Sequence, residues 1–229
     1  MSETMKMKLM LKPIPTYSKG EEIFNWVSHA IGAGIGLFSL FLFISVAPIL
    51  KYNSLQIACL ILYALSMIFL YSTSAIYHVI NPDSPYKRVF RLLDHNTIYI
   101  LIAGTYLPIC AIAFPGTNYG AIMISIELIG LALGTIMNMV NLNGNFTKVF
   151  TVILYVVMGW LAAIFYPALM MLDLRTMLLV LFGGIAYTVG VLFYAIGKKK
   201  KWMHSVFHLF VLLGSIIHLI GILSLINLF

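Results

Sequence analysis

The sequence predicts an all-α membrane protein, a bundle of seven transmembrane helices. Of its 229 residues, 62% are hydrophobic and only 9% are charged, whereas a soluble domain is about 45–50% apolar and about 25% charged. Seven apolar stretches are long enough to cross a bilayer, and the basic residues between them collect on one side. Because so few charged side chains cannot cover a water-exposed surface, the composition excludes a soluble enzyme, a disordered regulator and a secreted disulfide scaffold.

The predicted spans follow from length and from the residues that interrupt them. A transmembrane helix needs about 20 mostly apolar residues to cross about 30 Å of hydrocarbon. Pro, Gly, Asn and Asp residues separate the apolar stretches and predict the loops. Residues 1–22 are predicted as a short basic cytoplasmic tail, and residues 23–229 as one membrane domain. The predicted spans are 24–46, 54–78, 94–114, 119–140, 149–170, 177–196 and 203–228.

The distribution of basic residues predicts the orientation. With a cytoplasmic N-terminus, only Lys51 and Arg175 of the 14 Lys and Arg residues fall on the outside. Cytoplasmic loops carry the excess of Lys and Arg, so we expect the N-terminus inside and the C-terminus outside. The cytoplasmic basic residues are then Lys6, Lys8, Lys12, Lys19, Lys87, Arg88, Arg91, Lys148, Lys198, Lys199, Lys200 and Lys201.

The net charge of +7 would also suit a nucleic-acid partner. The charge is scattered over short loops, however, and no nucleic-acid-binding fold accompanies it. We therefore expect no nucleic acid and expect membrane lipids as substrate or ligand. The sequence leaves open whether the protein is a monomer or a homo-oligomer.

The ionisable residues of the spans collect in one layer. Ionisable groups are expensive inside a membrane, so each is a candidate functional residue. Five of the six histidines fall near the predicted cytoplasmic ends of spans, together with Glu22 and Asp94, and only His218 lies deeper. The five are His29, His78, His95, His204 and His208.

Three of these histidines have the pattern of a metal site. His204 and His208 are four residues apart and therefore project from one helix face, and His78 ends another span at the same depth. Three imidazoles with a fourth position left for water are typical of catalytic zinc. No HExxH motif is present, which excludes a zincin protease.

Two further residues are candidates for catalysis. Asp94 is either a fourth ligand or a carboxylate that orients the water and takes its proton, and we favour the second; a helix N-cap is the structural alternative. Ser74 lies one turn before His78 and either donates to the site or bonds back to its own helix.

Other polar residues are assigned to networks. Glu22 and His29, with Asn25 in the same set, form an outer shell of the metal site, a contact with a lipid headgroup or a satisfied interfacial network. His95 is either functional or an interfacial hydrogen-bonding residue. Glu127 lies in the middle of the fourth span, where a carboxyl group must be protonated or hydrogen-bonded. It reaches a depth similar to that of His218, so we hypothesise that these two share a buried polar network. Paired glycines, Gly32 with Gly36 and Gly130 with Gly134, predict close helix packing within one bundle.

Together these motifs resemble the hemolysin III family, the bacterial branch of the progestin and adipoQ receptor family that includes the adiponectin receptors. The motifs are Glu22-x-x-Asn25-x-x-x-His29, Ser74-x-x-x-His78, Leu93-Asp94-His95 and His204-x-x-x-His208. The resemblance implies a seven-helix bundle with a cytoplasmic N-terminus and zinc bound by His78, His204 and His208. It also implies that Asp94 acts on the zinc water with Ser74 beside it. For some members of the family and for the related alkaline ceramidases it implies lipid amide hydrolysis, and for some bacterial members it implies cytolysis.

The sequence thus supports one principal hypothesis and two alternatives. The principal hypothesis is a zinc-dependent, ceramidase-like hydrolase of lipid amide or ester bonds that affects lipid homeostasis in a bacterial plasma membrane. The first alternative is a cytolytic pore or channel, which would need polar groups at many depths. The second is a zinc-stabilised sensor of membrane state without turnover, although structural zinc sites usually have four protein ligands.

Overall fold

The computed structural model of the protein describes residues 14–114, 116–197 and 200–228, and the regular secondary structure in this part of the chain is entirely helical. Residues 1–13 of the predicted tail, with Lys6, Lys8 and Lys12, lie outside it, as do Lys198 and Lys199. Within it, six helices are long and apolar enough to cross a membrane. They are α1 (Lys19–Val46), α2 (Ser54–Val79), α3 (Tyr86–Ala113), α4 (Tyr119–Asn141), α8 (Leu174–Gly197) and α9 (Met203–Leu225).

Capping boxes fix the starts of the first two helices. Ser18 accepts a hydrogen bond from the backbone of Glu21, whose carboxylate accepts one from the Ser18 backbone at 2.9 Å. Asn53 and Gln56 form the same reciprocal pair at the start of α2. Such pairs satisfy backbone N–H groups that have no partner within the helix. Because of its capping box, α1 begins at Lys19, inside the stretch predicted as tail.

Helix α3 begins two turns earlier than the predicted span. It starts at Tyr86 rather than at residue 94, so Lys87 and Arg91 are helical and not part of a loop. Both are buried in the end of the bundle, with Lys87 1% and Arg91 8% exposed. Hydropathy does not detect this extension because its side chains are charged, whereas the backbone continues to form helical hydrogen bonds.

The predicted fifth span is interrupted. Residues 149–170 are distributed over α5 (Asn145–Gly159), α6 (Leu161–Ile164) and α7 (Tyr166–Leu169). The 15 residues of α5 extend about 22 Å, less than the hydrocarbon thickness of about 30 Å. Six continuous helices, rather than the predicted seven, therefore have the length of a span in the part of the chain that the structure describes.

Side-chain hydrogen bonds stabilise this interruption. The Tyr106 hydroxyl donates to the Gly159 carbonyl at 3.2 Å and accepts from the Ala162 N–H at 2.9 Å. Trp160, at the break, donates from its indole to Thr188 on α8 at 2.9 Å. The second break lies just before Pro167, whose nitrogen has no hydrogen to donate to the preceding turn.

Glycines allow close approach between neighbouring helices, as the paired spacing predicted. The Gly32 Cα faces the ring of Tyr71, and the Gly134 Cα faces the ring of Tyr99. Gly36 lies against α2, and Gly130 against Met158 of α5. All four contacts are within the chain, so these glycines pack one bundle. Outside the bundle, large apolar side chains such as Phe38 and Phe41 are exposed, as expected of a surface that faces lipid.

Hydrogen bonds between helices show which helix ends lie together at each end of the bundle. At one end, where α3 begins, Arg91 donates to Asn143 at 3.0 Å. At the other end, where α9 finishes, Thr176 donates to Ser224 at 3.1 Å. The chain from residue 145 to residue 173 therefore runs from one end of the bundle to the other.

Candidate metal centre and cavity

Three buried histidines converge at the end of the bundle where α3 and α9 begin. His78 lies in the last turn of α2, and His204 and His208 lie in the first two turns of α9. One ring nitrogen of each lies within 4.8 Å of the other two. The histidines that the sequence assigned to a metal are thus brought together from residues far apart in the chain.

The chemistry of the three side chains fits a divalent cation. The Nε2 atoms of His204 and His208 are 3.1 Å apart, close to the roughly 3.3 Å that separates two nitrogens on a tetrahedral zinc ion with Zn–N bonds of about 2.0–2.1 Å. Nε2 of His78 is buried and has no hydrogen-bond partner among the described residues. A buried ring nitrogen without a partner is costly, and a bound cation would satisfy it.

Glu22 holds the other side of the His78 ring. Its Oε2 lies 2.5 Å from Nδ1 of His78, and its Oε1 accepts from Lys87 at 3.1 Å. The Asn25 side-chain nitrogen is 3.5 Å from the same Nδ1. With its Nδ1 proton donated to a carboxylate, His78 presents the lone pair of Nε2 to the other two histidines. This is the arrangement of metal-binding histidines in general, and it places Glu22 and Asn25 beside the site.

His29 packs on the three histidines that could hold a metal ion, His78, His204 and His208, which we term the metal-binding group, but it is not one of them. Its ring stacks on His208 with centroids 3.8 Å apart and meets the edge of Tyr71 at 5.0 Å. Neither of its ring nitrogens has a hydrogen-bond partner within the described residues. The group of ligand atoms close enough to share an ion contains His78, His204 and His208 without His29.

Asp94, Ser74 and His95 face the cavity beside the histidines. The Ser74 hydroxyl is buried and has no hydrogen-bond partner in the described part of the chain, so back-bonding to its own helix is not observed. Asp94 lies within α3 and does not cap it, because the helix begins at Tyr86. The backbone carbonyl of His95 accepts from Tyr155 at 2.6 Å, and its ring lies 6.5 Å from the ring of Tyr194.

The hypothesised pair of Glu127 and His218 is not formed. Both carboxyl oxygens of Glu127 are without hydrogen-bond partners in the described residues. Nε2 of His218 instead bonds to the Val180 carbonyl of α8 at 3.0 Å. Similar depth in the membrane did not bring the two side chains together, because α4 and α9 do not pack extensively against each other.

A cavity of about 830 Å³ opens from the metal-binding group into the bundle. His204 and His208 line one end, and His218 lines it deeper along the same helix. The 14 residues from His204 to His218 correspond to about 21 Å of helix. Between these ends the walls are mostly apolar, with Ile98, Leu101, Ile102, Val152, Val156 and Val191 among the lining residues.

Tyr17 covers the metal-binding group and was not identified from the sequence. Its ring stacks on His204 with centroids 4.7 Å apart, and lies 5.6 Å from His78. Burial, with a smaller contribution from Tyr77, raises the pKa of the Tyr17 hydroxyl far above its ordinary value. The Glu21 carboxylate, four residues further along the chain, accepts from the Trp202 backbone at 2.6 Å and ties this segment to the start of α9. An aromatic residue directly before the Ser18 capping box was the only signal in the sequence.

Comparison with known proteins identifies the family. Residues 17–219 match the family described as Haemolysin-III related. The chain is 34% identical over 197 residues to Hemolysin-3 of Bacillus cereus, covering 85% of this chain and 87% of that protein. It is 35% identical over 197 residues to the Hemolysin-3 homolog of Bacillus subtilis (strain 168), covering 85% and 89%. With six apolar helices in its described part, this is a multi-pass bacterial membrane protein, and the chain belongs to the hemolysin III family.

Proposed function

We propose that this protein is a zinc-dependent hydrolase that cleaves an amide or ester bond of a membrane lipid. The observation that carries the proposal is the convergence of His78, His204 and His208 on the end of a cavity with mostly apolar walls. A cavity of this size accommodates an acyl chain, and its carbonyl carbon would lie at the histidine end.

In this proposal each side chain around the histidines has a separate role in hydrolysis. A divalent cation held by the three histidines would supply Lewis acidity, activating water near neutral pH and polarising the scissile carbonyl. Asp94 accepts the proton of the attacking water and delivers it to the leaving nitrogen or oxygen. The unpartnered Ser74 hydroxyl donates to the carbonyl oxygen as negative charge develops there. Glu22 fixes the orientation of His78.

Elemental analysis and product release test this proposal. We expect about one zinc per chain in the purified protein, and fatty acid release from sphingoid amide or phospholipid substrates. His208→Ala should abolish both. His218→Ala removes a histidine from the same helix outside the metal-binding group and should retain the zinc.

The role of Asp94 in catalysis has its own test. Asp94→Asn should lose activity while keeping the metal, and Asp173→Asn, at the other end of the bundle, should keep both. Unchanged zinc and activity in His208→Ala would end the proposal.

We further propose that the chain crosses the membrane seven times, with the metal-binding group at the cytoplasmic side. Support comes from the segment 145–173, which connects opposite ends of the bundle despite its two breaks, and from the asymmetry of basic residues. A membrane-impermeant maleimide applied to intact cells should label Lys51→Cys and spare Lys201→Cys. The reverse labelling would invert the topology.

A lytic function is the alternative indicated by the names of the relatives. A pore through a single chain needs polar groups at many depths, but five of the six histidines lie at one end of this bundle. We therefore expect no dye release from liposomes that contain the purified protein at a concentration sufficient for hydrolysis. Dye release that persists in His208→Ala would favour lysis over hydrolysis.

A further inference from the structure

Arg91 is a buried cation in the wall of the cavity. It lies in the second turn of α3, is 8% exposed and lines the cavity near the histidine end. Its Nη1 donates to the side-chain oxygen of Asn143 at 3.0 Å, which is a neutral partner. Within the described residues no carboxylate lies within ion-pair distance of it, and Glu22 is engaged by His78 and Lys87. Asp94, three residues further along α3, interacts with Arg91 electrostatically but forms no ion pair with it. A buried guanidinium without a directly paired anion is costly unless a ligand supplies one.

Other cations line the cavity at the same end, near Arg91 and the histidines, which we call its mouth. Lys148 lies in the first turn of α5, and Lys200 and Lys201 precede α9, so together with Arg91 three separate parts of the chain contribute positive charge. Among the described residues that line the cavity, these four cations face two carboxylates, Glu21 and Asp94. The carboxylate of Glu21 already accepts hydrogen bonds from Ser18 and Trp202. The mouth therefore carries an excess of positive charge.

The surroundings of this charge define the ligand. Below Arg91 the wall is formed by apolar side chains that include Ile98, Leu101 and Val152. A ligand complementary to both regions has an anionic head and an apolar tail. The planar guanidinium matches the oxygens of a phosphate, with which it forms paired hydrogen bonds.

We propose that Arg91, with Lys148 and Lys201, binds the phosphate of an anionic lipid whose acyl chain occupies the cavity. The inference rests on the proposed function for the identity of this lipid as substrate, but binding itself requires no turnover. It assigns Arg91 to ligand recognition, in addition to the role of cytoplasmic basic residues in orientation.

Binding of two matched lipids tests the subsite. The full-length protein in neutral detergent is titrated with fluorescent phosphatidic acid and with the diacylglycerol of the same chains, which lacks only the phosphate. Wild-type protein should bind phosphatidic acid at least about tenfold more tightly, because hydrogen bonds between charged groups contribute that much. Arg91→Gln should remove most of this preference, and Arg91→Lys should retain part of it. Lys19→Gln, which removes an exposed cation at the same end but outside the cavity lining, should leave it unchanged.

A second variant and a competition experiment separate binding of a lipid from binding of free phosphate. If Arg91→Gln does not give monodisperse protein, the double variant Lys148→Gln/Lys201→Gln replaces it and should lower the preference severalfold. Inorganic phosphate should compete only weakly, since it lacks the chain; displacement at concentrations equal to those of the lipid would overturn the assignment to a lipid. Equal affinity for the two lipids in wild type, or an unchanged preference in both the Arg91 and the double variants, would overturn the subsite. Because the readout is binding, absence of hydrolysis alone would count against the proposed function and not against this inference.

Discussion

Glu22 and His78 are joined across the interface of α1 and α2, with Oε2 of the carboxylate 2.5 Å from Nδ1 of the imidazole. The other carboxylate oxygen accepts from Lys87 of α3 at 3.1 Å. One side chain therefore links three helices next to the metal-binding group. Lys87 places a positive charge beside the Glu22 carboxylate, on the oxygen that does not contact His78.

Neutralising Glu22 should weaken metal binding without removing a ligand. In Glu22→Gln, His78 loses its charged acceptor, and we expect zinc affinity to fall by about 10–100-fold. Competition with a fluorescent chelator measures the affinity. Glu21→Gln is the matched control, because Glu21 bonds to Ser18 and Trp202 and not to a histidine. Equal affinity in wild type and Glu22→Gln would contradict this role.

Removal of the metal should lower thermal stability. A ligand that binds only the folded state stabilises it by about 2.7 kcal/mol at 100 times its Kd, which corresponds to an increase in Tm of about 5–10 °C for a chain of this size. Chelation should reverse the increase, and added zinc should restore it. In His204→Ala/His208→Ala, chelator and zinc should leave the Tm unchanged. A chelator effect of full size in this variant would show that the stabilising ion binds elsewhere.

A methyl group at Gly134 should destabilise the bundle. A Cβ there would overlap the ring of the fully buried Tyr99, and overpacking costs about 1–3 kcal/mol. At Gly34 a Cβ meets no atom within 4 Å, so Gly34→Ala should be neutral or stabilising by up to about 1 kcal/mol. Unfolding in mixed micelles measures both. A Gly134→Ala protein as stable as Gly34→Ala would show that Tyr99 can move aside at little cost.

Asp173 should give α8 a pH-dependent contribution to stability. It accepts from the Thr176 backbone N–H at 3.1 Å, and Thr176, through its side chain and then its backbone, holds the pKa of this carboxyl below its ordinary value of 3.8. The folded state therefore binds the proton more weakly than the unfolded state. The stabilisation is present above pH 3.8 and is lost as the pH falls through the lowered pKa of the folded state.

Two variants test this cap. Asp173→Ala should lower the free energy of unfolding by about 0.5–2 kcal/mol at pH 7 and by less at pH 3. Asp173→Asn retains a capping oxygen without a titrating proton, so it should preserve stability at pH 7 and remove this part of the pH dependence. Equal losses for Asp173→Ala at both pH values would contradict the ionised cap.

Much of the fold follows from hydropathy because a membrane imposes length. Both ends of the helices α2, α4 and α8 lie within three residues of the ends of their predicted spans. The early start of α3 and the breaks around Trp160 are different, since they depend on partners from other helices. Tyr106 supplies the hydrogen bonds that replace those lost at Gly159, and no local pattern in residues 149–170 indicates it.

The candidate site was predictable where spacing encodes geometry. His204 and His208 share a helix face whatever surrounds them, and His78 was placed by depth. Depth alone failed for Glu127 and His218, because it does not fix which helices are neighbours or how each is rotated. The contacts of Tyr17 and the burial of Arg91 depend on how the segments close over the end of the bundle, so composition could not reveal them.

The wide separation in the chain of the residues that build the metal-binding group has a consequence for biogenesis. Glu22 and His78 come from the first two helices, whereas His204 and His208 come from α9. The ribosome synthesises α1 and α2 before α9, so His78 is present in the membrane before His204 and His208 have been synthesised. Cation capture can occur only after α9 has been inserted beside α1 and α2, and metal loading would thus mark completed assembly of the nascent protein.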